Sequence, residues 1–164
     1  MQTINLDNIL TVQVPKKARL ITKQGFDTYS FEIINLNSEV SLEGEIGIGP
    51  ATLYEPNLPV FDMASKPSLL KNLKRKSDST LFLFSNEAEI DQELRIFSKQ
   101  YYMYDTINGL VVKLVKPKRI GTGITGVYIP KLKNGQSFCM YAKTTNDAQQ
   151  QEILEIIKTL RYAE

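Results

Sequence analysis

Two β-rich runs meet at an Asn-Gly pair in residues 100–115, Gln-Tyr-Tyr-Met-Tyr-Asp-Thr-Ile-Asn-Gly-Leu-Val-Val-Lys-Leu-Val. An Asn-Gly pair readily adopts the two successive positive φ angles of a type I′ turn, so it is a strong local signal for a hairpin. A second pair, Asn134-Gly135, lies between the runs 126–129 and 137–142. The two pairs predict two antiparallel hairpins with type I′ turns, and these indicate a mainly antiparallel sheet.

Further strands are predicted upstream from alternation and from β-rich composition. Residues 39–48 alternate most clearly, because apolar side chains such as Leu42 and Ile46 fall between glutamates, which is the period of a half-buried strand. Residues 19–34 contain two predicted strands with a turn at Gln24-Gly25. The other predicted strands are residues 9–14 and the buried run 80–85.

Three helices are predicted from capping residues and apolar spacing. The first begins at Ser65 and Pro67, the second is capped by Asn86, and the third runs from about Asp147 to Leu160. The apolar faces of the two longer helices consist of Ile90, Leu94, Phe97 and Tyr101 in the second, and Ile153, Ile157 and Leu160 in the third.

Together these elements predict an α+β fold in a single domain, residues 1–164. We expect one mainly antiparallel sheet of about six or seven strands, flanked by two or three helices that cover its faces. Residues 50–67 contain four prolines and are predicted to form an irregular excursion. The predicted core consists of Val12, Ile33, Leu81, Leu83, Phe97, Val112, Val127, Phe138, Met140, Ile153, Ile157 and Leu160.

The chain contains no histidine and a single cysteine, Cys139. The lack of histidine excludes Ser-His-Asp triads, Cys-His pairs and histidine metal ligands, and one cysteine excludes an internal disulfide or a zinc site built from several thiolates. We therefore expect no catalytic, cofactor-binding or metal-binding residues, and we interpret Cys139 as a buried structural thiol. Glu43 and Glu45 share one strand face, so a histidine-free enzyme that relies on carboxylates stays an alternative.

Charge is distributed unevenly along the chain. Residues 1–65 carry four basic and eight acidic side chains, whereas residues 66–164 carry sixteen basic and ten acidic ones. The basic stretch 113–133 contains no acid, and a concentration of one charge sign steers partners of the opposite sign. The candidate partner-binding residues are Lys116, Lys118, Arg119, Lys131 and Lys133 in that stretch, and Tyr54, Leu58 and Phe61 in the excursion.

The run Gly121-Thr-Gly-Ile-Thr-Gly126 matches the G-x-G-x-x-G pattern of dinucleotide-binding loops. That function needs a helix directly after the glycines, but the run Val-Tyr-Ile-Pro that follows is typical of a strand. We interpret the glycines as a connection between strands, with an anion site made by these amides, Lys118 and Arg119 as a weaker alternative.

The second half of the chain resembles a known family in its pattern of hydrophobicity and turns. The segments that carry the likeness are Gly123-Ile-Thr-Gly-Val-Tyr-Ile, the following Asn-Gly turn, Phe138-Cys-Met-Tyr-Ala-Lys and Gln151-Glu-Ile-Leu-Glu-Ile-Ile-Lys-Thr-Leu-Arg-Tyr. This order is similar to the PsbP-like domain, which also occurs in small bacterial proteins. The resemblance implies an α/β/α sandwich and a non-enzymatic role in binding or assembly, and it assigns no functional residue.

The function expected from the sequence is that of a non-catalytic binding or accessory domain that recognises a protein. A nucleic-acid-binding protein that uses the basic stretch 113–133, with its neighbouring tyrosines as a stacking platform, is the less favoured alternative. No apolar run is long enough to span a membrane, and Met1–Asp7 lacks the regions of a signal peptide. The sequence as given thus predicts a cytoplasmic location, or an extracytoplasmic one if a signal segment was removed.

Overall fold

The structure is a computed structural model that describes residues 1–25, 27–47, 59–73, 82–86, 88–93, 96–97 and 100–163. Most of its regular elements are strands. The strands are β1 (Gln2–Leu6), β2 (Leu10–Val14), β3 (Arg19–Gln24), β4 (Thr28–Ile34), β5 (Leu42–Gly47), β6 (Val60–Asp62), β7 (Leu83–Ser85), β8 (Ile96–Phe97), β9 (Gln100–Ile107), β10 (Leu110–Pro117), β11 (Thr125–Ile129), β12 (Ser137–Ala142) and β13 (Arg161–Tyr162). The helices are α1 (Lys66–Lys71), α2 (Ala88–Glu93) and α3 (Asp147–Ile157), with a 3-10 turn at Met63–Ser65 before α1.

An eight-stranded antiparallel sheet forms the centre of the fold, in the order β3-β4-β5-β12-β11-β10-β9-β8. A smaller antiparallel sheet has the order β1-β2-β13, and a parallel pair joins β6 to β7. The fold is therefore α+β with a mainly antiparallel sheet, as predicted. The large sheet has one strand more than the upper number expected, because β8 has only two residues and is too short to show a period in the sequence.

One face of the large sheet, here called the inner face, carries the main core. Leu42, Val112, Val127 and Phe138 lie on this face and have no exposed surface. The small sheet and α3 cover it, since Val12 of β2 and Ile153 of α3 belong to the same buried cluster. The predicted core residues that are confirmed as buried are Val12, Ile33, Val112, Val127, Phe138, Met140, Ile153, Ile157 and Leu160.

The opposite face, here called the outer face, holds a smaller apolar cluster over the strands β9 to β12. Tyr102, Val115, Tyr128 and Cys139 are buried there, and Leu83 of β7 packs against them. The interpretation of Cys139 as a buried thiol is thus confirmed. Residues 82–85 are half-buried, so the prediction of a buried strand over 80–85 is wrong for the part of it that the structure describes. Leu81 and the side chain of Phe97 lie outside the described residues.

The turn at Asn108-Gly109 confirms the first predicted hairpin. Both residues have positive φ angles, 49° and 80°, as a type I′ turn requires. Asn134-Gly135 also lies within a hairpin, but there the predicted turn type is wrong. Only Gly135 has a positive φ, of 85°, and the chain closes a wider loop in which Leu132 N donates to the carbonyl of Gln136 at 2.7 Å.

The second helix is shorter than its apolar spacing predicts. α2 ends at Glu93, whereas Phe97 lies in β8 and Tyr101 in β9. β8 pairs with β9 through Ile96 opposite Tyr101, so sheet pairing overrides the helical period after residue 93. Leu94, which we also placed on that face, lies outside the described residues.

The third helix also ends earlier than predicted, at Ile157. The chain continues through a tight turn, in which Thr159 N donates to Ile156 O at 3.0 Å, and then forms β13. Leu160 stays buried although it is no longer helical.

The predicted excursion 50–67 is described only from residue 59 onward. That part contains β6, the 3-10 turn and the start of α1, which has a proline in its first turn as predicted. Residues 50–58, with Tyr54 and Leu58, lie outside the described residues.

Candidate binding cleft

A tight turn after β2 places three cationic side chains on the surface. Pro15 ends the strand, and Ala18 N donates to Pro15 O at 2.9 Å. Gln2 Nε2 donates to Ala18 O at 2.7 Å, which attaches the turn to β1. Lys16 and Lys17 at the corner of this turn and Arg19 at the start of β3 are all exposed. The turn is therefore held by backbone and amide contacts that leave the three cations exposed.

The loop between β4 and β5, residues 35–41, faces this turn. Asn35 and Glu39 both adopt φ angles of 60°, in the left-handed region, where Asn is tolerated far better than Glu. Glu39 N donates to Leu36 O at 3.3 Å, and Leu36 is buried in the core. Glutamate does not favour the left-handed φ that Glu39 adopts, so contacts of the loop with the rest of the fold must hold it in this shape.

Glu152 of α3 holds this loop in place. Its Oε1 accepts from Asn37 N at 2.9 Å, and its Oε2 accepts from Ser38 N at 2.8 Å and from the Ser38 hydroxyl. Burial by itself would raise the pKa of Glu152. The hydrogen bonds from Ser38 and Asn37 and the charge of Lys17 outweigh burial, so the pKa lies below its ordinary value of 4.5. The carboxylate is therefore ionised at neutral pH and fixes the loop from behind.

Between the turn and the loop lies a cleft of about 820 Å³. Its lining contains three cations, Lys16, Lys17 and Arg19, and one carboxylate, that of Glu39. The remaining lining residues are Gln2, Ala18, Ile34, Asn35, Leu36, Val40 and Ser41. This basic cleft is a concave surface of net positive charge, and it can hold an anionic group by ion pairing and by hydrogen bonds from amide and hydroxyl donors.

A second, smaller concavity of about 370 Å³ lies beside it on the outer face. Glu32 of β4 stands directly opposite Glu43 of β5, and Glu45 follows on the same face, as predicted for the pair Glu43 and Glu45. Tyr141 donates its hydroxyl to Glu43 Oε2 at 3.2 Å. Among the described residues, no group of three Asp, Glu, Cys or His side chains is placed to hold a metal ion.

The predicted cations of the stretch 113–133 do not form one surface. Lys116, Lys118 and Arg119 lie where β10 leaves the sheet, whereas Lys131 and Lys133 lie in the loop after β11. β11 separates the two groups and has five residues, which corresponds to about 17 Å along a strand. The stretch therefore forms two separate basic groups at opposite ends of the sheet.

Two lysines of this stretch lie against aromatic rings. Lys113 is 8% exposed, and its Nζ lies 4.2 Å from the ring centroid of Tyr102. Lys133 Nζ lies 4.2 Å from the ring centroid of Tyr162. Cation–π contacts of this kind stabilise the fold, and burial removes Lys113 from any binding surface.

The glycine run 121–126 is a connection between strands, as interpreted from the sequence. It leads from β10 into β11, and Gly126 lies within β11. Gly121 N donates to Thr144 O and Thr122 N donates to Arg119 O, both at 3.1 Å. These two amides are already bonded within the protein, which counts against the alternative of an anion site in this loop.

Of the three residues of the excursion predicted to bind a partner, Phe61 is the one that lies within the described residues. It is 37% exposed and packs edge-to-face on Phe82 with centroids 5.7 Å apart. Phe82 in turn meets Phe84 at 5.5 Å, again edge-to-face. Phe61 of β6 thus belongs to a small aromatic row with Phe82, which precedes β7, and Phe84 of β7.

The basic cleft was missed by sequence reasoning, although a signal was present. All four basic residues of the acidic region 1–65 fall within the eight positions 16–23. The turn chemistry of Pro15 would have placed Lys16 and Lys17 at a corner. The opposite wall could not be predicted, because its position depends on hydrogen bonds to Glu152, more than a hundred residues away in sequence.

Comparisons with known proteins assign the chain to no family. No protein-family model matches it, no curated protein matches it, and no solved structure matches it. The interpretation as a PsbP-like domain thus stays a prediction. Within the part of the chain that the structure describes, no helix has the length and apolar character needed to cross a membrane.

Proposed function

We propose that this protein is a non-catalytic binding domain that recognises an acidic segment of a protein partner through the basic cleft. The observation that carries the proposal is the convergence of Lys16, Lys17 and Arg19 on one concave surface whose lining holds a single carboxylate. The predicted PsbP-like resemblance, which implies a binding role, supports the same conclusion. Charged groups of one sign in a cleft raise the encounter rate with ligands of the opposite sign.

The cleft is also well supported from behind. The wall formed by the turn is fixed by the hydrogen bond that Gln2 donates to Ala18 O. The wall formed by the loop 35–41 is fixed by the hydrogen bonds that Asn37 N and Ser38 N donate to Glu152. A surface that is already in its bound shape loses less conformational entropy on association. An acidic ligand would therefore meet three cations without first having to order the backbone beneath them.

A protein segment fits this surface better than a nucleic acid does. Glu32, Glu43 and Glu45 lie on the outer face beside the cleft, and they would repel a continuous phosphate backbone. The cations of the stretch 113–133 lie in two separate groups and offer no single track for such a backbone. The three glutamates lie on β4 and β5, so a short acidic segment can place its few charges against the cations of the turn and of β3.

The test is fluorescence anisotropy with a labelled glutamate-rich peptide, titrated with the purified protein in 50 mM salt. We expect saturable binding that falls at least tenfold when Lys16, Lys17 and Arg19 are all changed to Glu. The matched control changes Lys116, Lys118 and Arg119 to Glu, which reverses the same number and types of charge, and it should leave the affinity within about twofold. Melting temperatures of all variants show whether each one is folded.

Two results would overturn the proposal. The first is no binding by the wild-type protein, or an equal loss in the control variant. The second is tighter binding of a labelled RNA or duplex DNA than of the peptide. If that affinity also falls steeply as the salt concentration rises, the nucleic-acid alternative would be established. The remaining alternative, a histidine-free enzyme, uses Glu43 and Glu45 and predicts no effect of the cleft variant on its activity.

A further inference from the structure

Strand β3 forms one edge of the large sheet. It is six residues long, and among the described residues only β4 pairs with it. A strand edge of this length presents backbone donors and acceptors to which a further strand can bind. β3 also begins in the basic cleft, since Arg19 is its first residue.

The hydrogen-bond register shows which amides face outward. Gly25 N donates to Thr28 O at 2.8 Å, and bonded and non-bonded pairs alternate along an antiparallel ladder. The residues of β3 that bond to β4 are therefore Arg19, Ile21 and Lys23, which lie opposite Ile34, Glu32 and Ser30. The N–H and C=O groups of Leu20 and Thr22 point to the free side of β3.

The side chains of β3 that share the outer face form an alternating pattern. Arg19 and Lys23 flank Ile21 at every second position, and Ile21 is 44% exposed. Directly opposite side chains on adjacent strands lie within about 5.5 Å and interact, favourably for opposite charges and unfavourably for like charges. A strand added to β3 would therefore be selected for acid, apolar residue and acid at alternate positions.

We propose that β3 binds an extended segment of the partner by strand addition, and that this segment carries two acidic residues around one apolar residue at alternate positions. This inference rests on the proposed function and specifies the shape and pattern of the acidic ligand. Arg19 and Lys23 pair with the acids, and Ile21 covers the apolar side chain. Lys16 and Lys17 extend the positive charge beyond Arg19 for acids further along the segment.

A second copy of this chain is a poorer occupant of the same edge. If two β3 strands paired antiparallel about Ile21, Arg19 of each copy would lie opposite Lys23 of the other. In a parallel pair in register, each cation would lie beside its equivalent. Both arrangements place like charges together, which opposes pairing. The charge pattern therefore favours an acidic strand from another protein.

The experiment compares two labelled peptides of identical composition. One is Ser-Glu-Thr-Val-Thr-Glu-Ser, which alternates, and the other is Ser-Thr-Glu-Glu-Thr-Val-Ser, which does not. We expect the alternating peptide to bind at least tenfold more tightly, and to lose that advantage when Arg19 and Lys23 are changed to Glu. A peptide with lysines in place of its two glutamates should then bind the doubly reversed variant in preference to the wild type.

A backbone variant separates strand addition from simple charge attraction. Thr22→Pro removes one outward N–H, a change that an edge strand tolerates, and Thr22→Val keeps that N–H. We expect Thr22→Pro to lower the affinity for the alternating peptide at least tenfold, and Thr22→Val to change that affinity less than threefold. Melting temperatures check that both variants are folded, and slowed amide exchange at Leu20 and Thr22 on peptide addition gives an independent measurement in the wild type.

The outcomes distinguish this inference from the proposed function. Equal binding of both peptides, still abolished by charge reversal in the basic cleft, would refute strand addition and leave acidic recognition in place. No binding of either peptide or of the glutamate-rich probe would refute both. Formation of a dimer that competes with the peptide and is broken by Thr22→Pro would assign the edge to a second copy and refute the proposed occupant.

Discussion

Glu152 offers a direct test of how the cleft wall is held, because its carboxylate accepts two backbone N–H groups and one hydroxyl of the loop 35–41. Glu152→Gln keeps the size of the side chain, removes its charge and replaces one acceptor oxygen with a donor. A hydrogen bond to a charged group contributes about 1.5–3 kcal/mol when buried. Since Glu152 is half-exposed and the amide keeps one acceptor, we expect a loss of about 1–2 kcal/mol.

The assay is thermal or urea unfolding at pH 7 and again at pH 3. For a domain of this size the expected loss lowers Tm by about 3–6 °C. The pKa of Glu152 is depressed in the folded state, so its contribution is present above the ordinary value of 4.5 and is lost as pH falls through the lower folded pKa. The difference in stability between the wild-type protein and Glu152→Gln should therefore be full at pH 7 and smaller at pH 3.

The matched control is Glu155→Gln on the same helix. Glu155 is exposed and accepts a hydrogen bond from Gln151 Nε2 at 2.8 Å, so its replacement should lower the free energy of unfolding by less than about 0.5 kcal/mol. The reasoning fails if Glu152→Gln is as stable as the control at pH 7. It also fails if the deficit is undiminished at pH 3, since the lost interaction would then not be that of an ionised carboxylate.

Three further predictions concern the body of the fold. A Cβ on Gly44 would lie 2.3 Å from the Phe31 ring and 2.6 Å from the Cys139 carbonyl. Gly44→Ala should therefore lower the free energy of unfolding in urea by about 1–3 kcal/mol. A variant as stable as the wild-type protein would show that the neighbouring groups move apart without loss of stability. Asn108 donates to the carbonyls of Lys158 and Leu160 at 3.1 and 2.9 Å, so Asn108→Ala should cost about 1–2 kcal/mol and Asn108→Gly, which restores the positive φ alone, should recover part of it in the same measurement. Cys139 is fully buried, so a thiol reagent should label it at the rate of global unfolding, and labelling of the native protein within minutes would contradict its placement.

Local chemistry in the sequence was sufficient for the two central hairpins and for most of the residues that we predicted to be buried. Asn108-Gly109 specifies its own turn, and the alternation around Leu42 and Ile46 assigns the faces of β5 without tertiary information. The parallel pair of β6 and β7 has no such signal, because three residues are too few for a period to be measured. The apolar spacing through Phe97 was misleading because residues at helical intervals also occur by chance in strands, and pairing with β9 decides the outcome.

The basic cleft was harder to predict from the sequence than the fold was, because it also depends on tertiary contacts. Lys16, Lys17 and Arg19 are adjacent in sequence and could have been recognised as a cluster. Their arrangement as one wall of a cleft depends on Glu152 of α3, which holds the opposite loop 35–41 in place. Charge composition averaged over residues 1–65 concealed the cluster, because the eight acids of that region outnumber its four basic residues.

The small sheet has a consequence for the order in which the protein folds. Gln13 N donates to Thr159 Oγ1 at 2.8 Å across 146 residues of sequence, and β13 pairs with β2 beside that bond. Closing so long a segment has a large entropic cost, so contacts of this kind form after local hairpins have assembled. The buried row Leu10, Val12 and Val14 is completed only at that late step, so refolding rates measured by a probe at β13 should match the slowest phase of the whole chain.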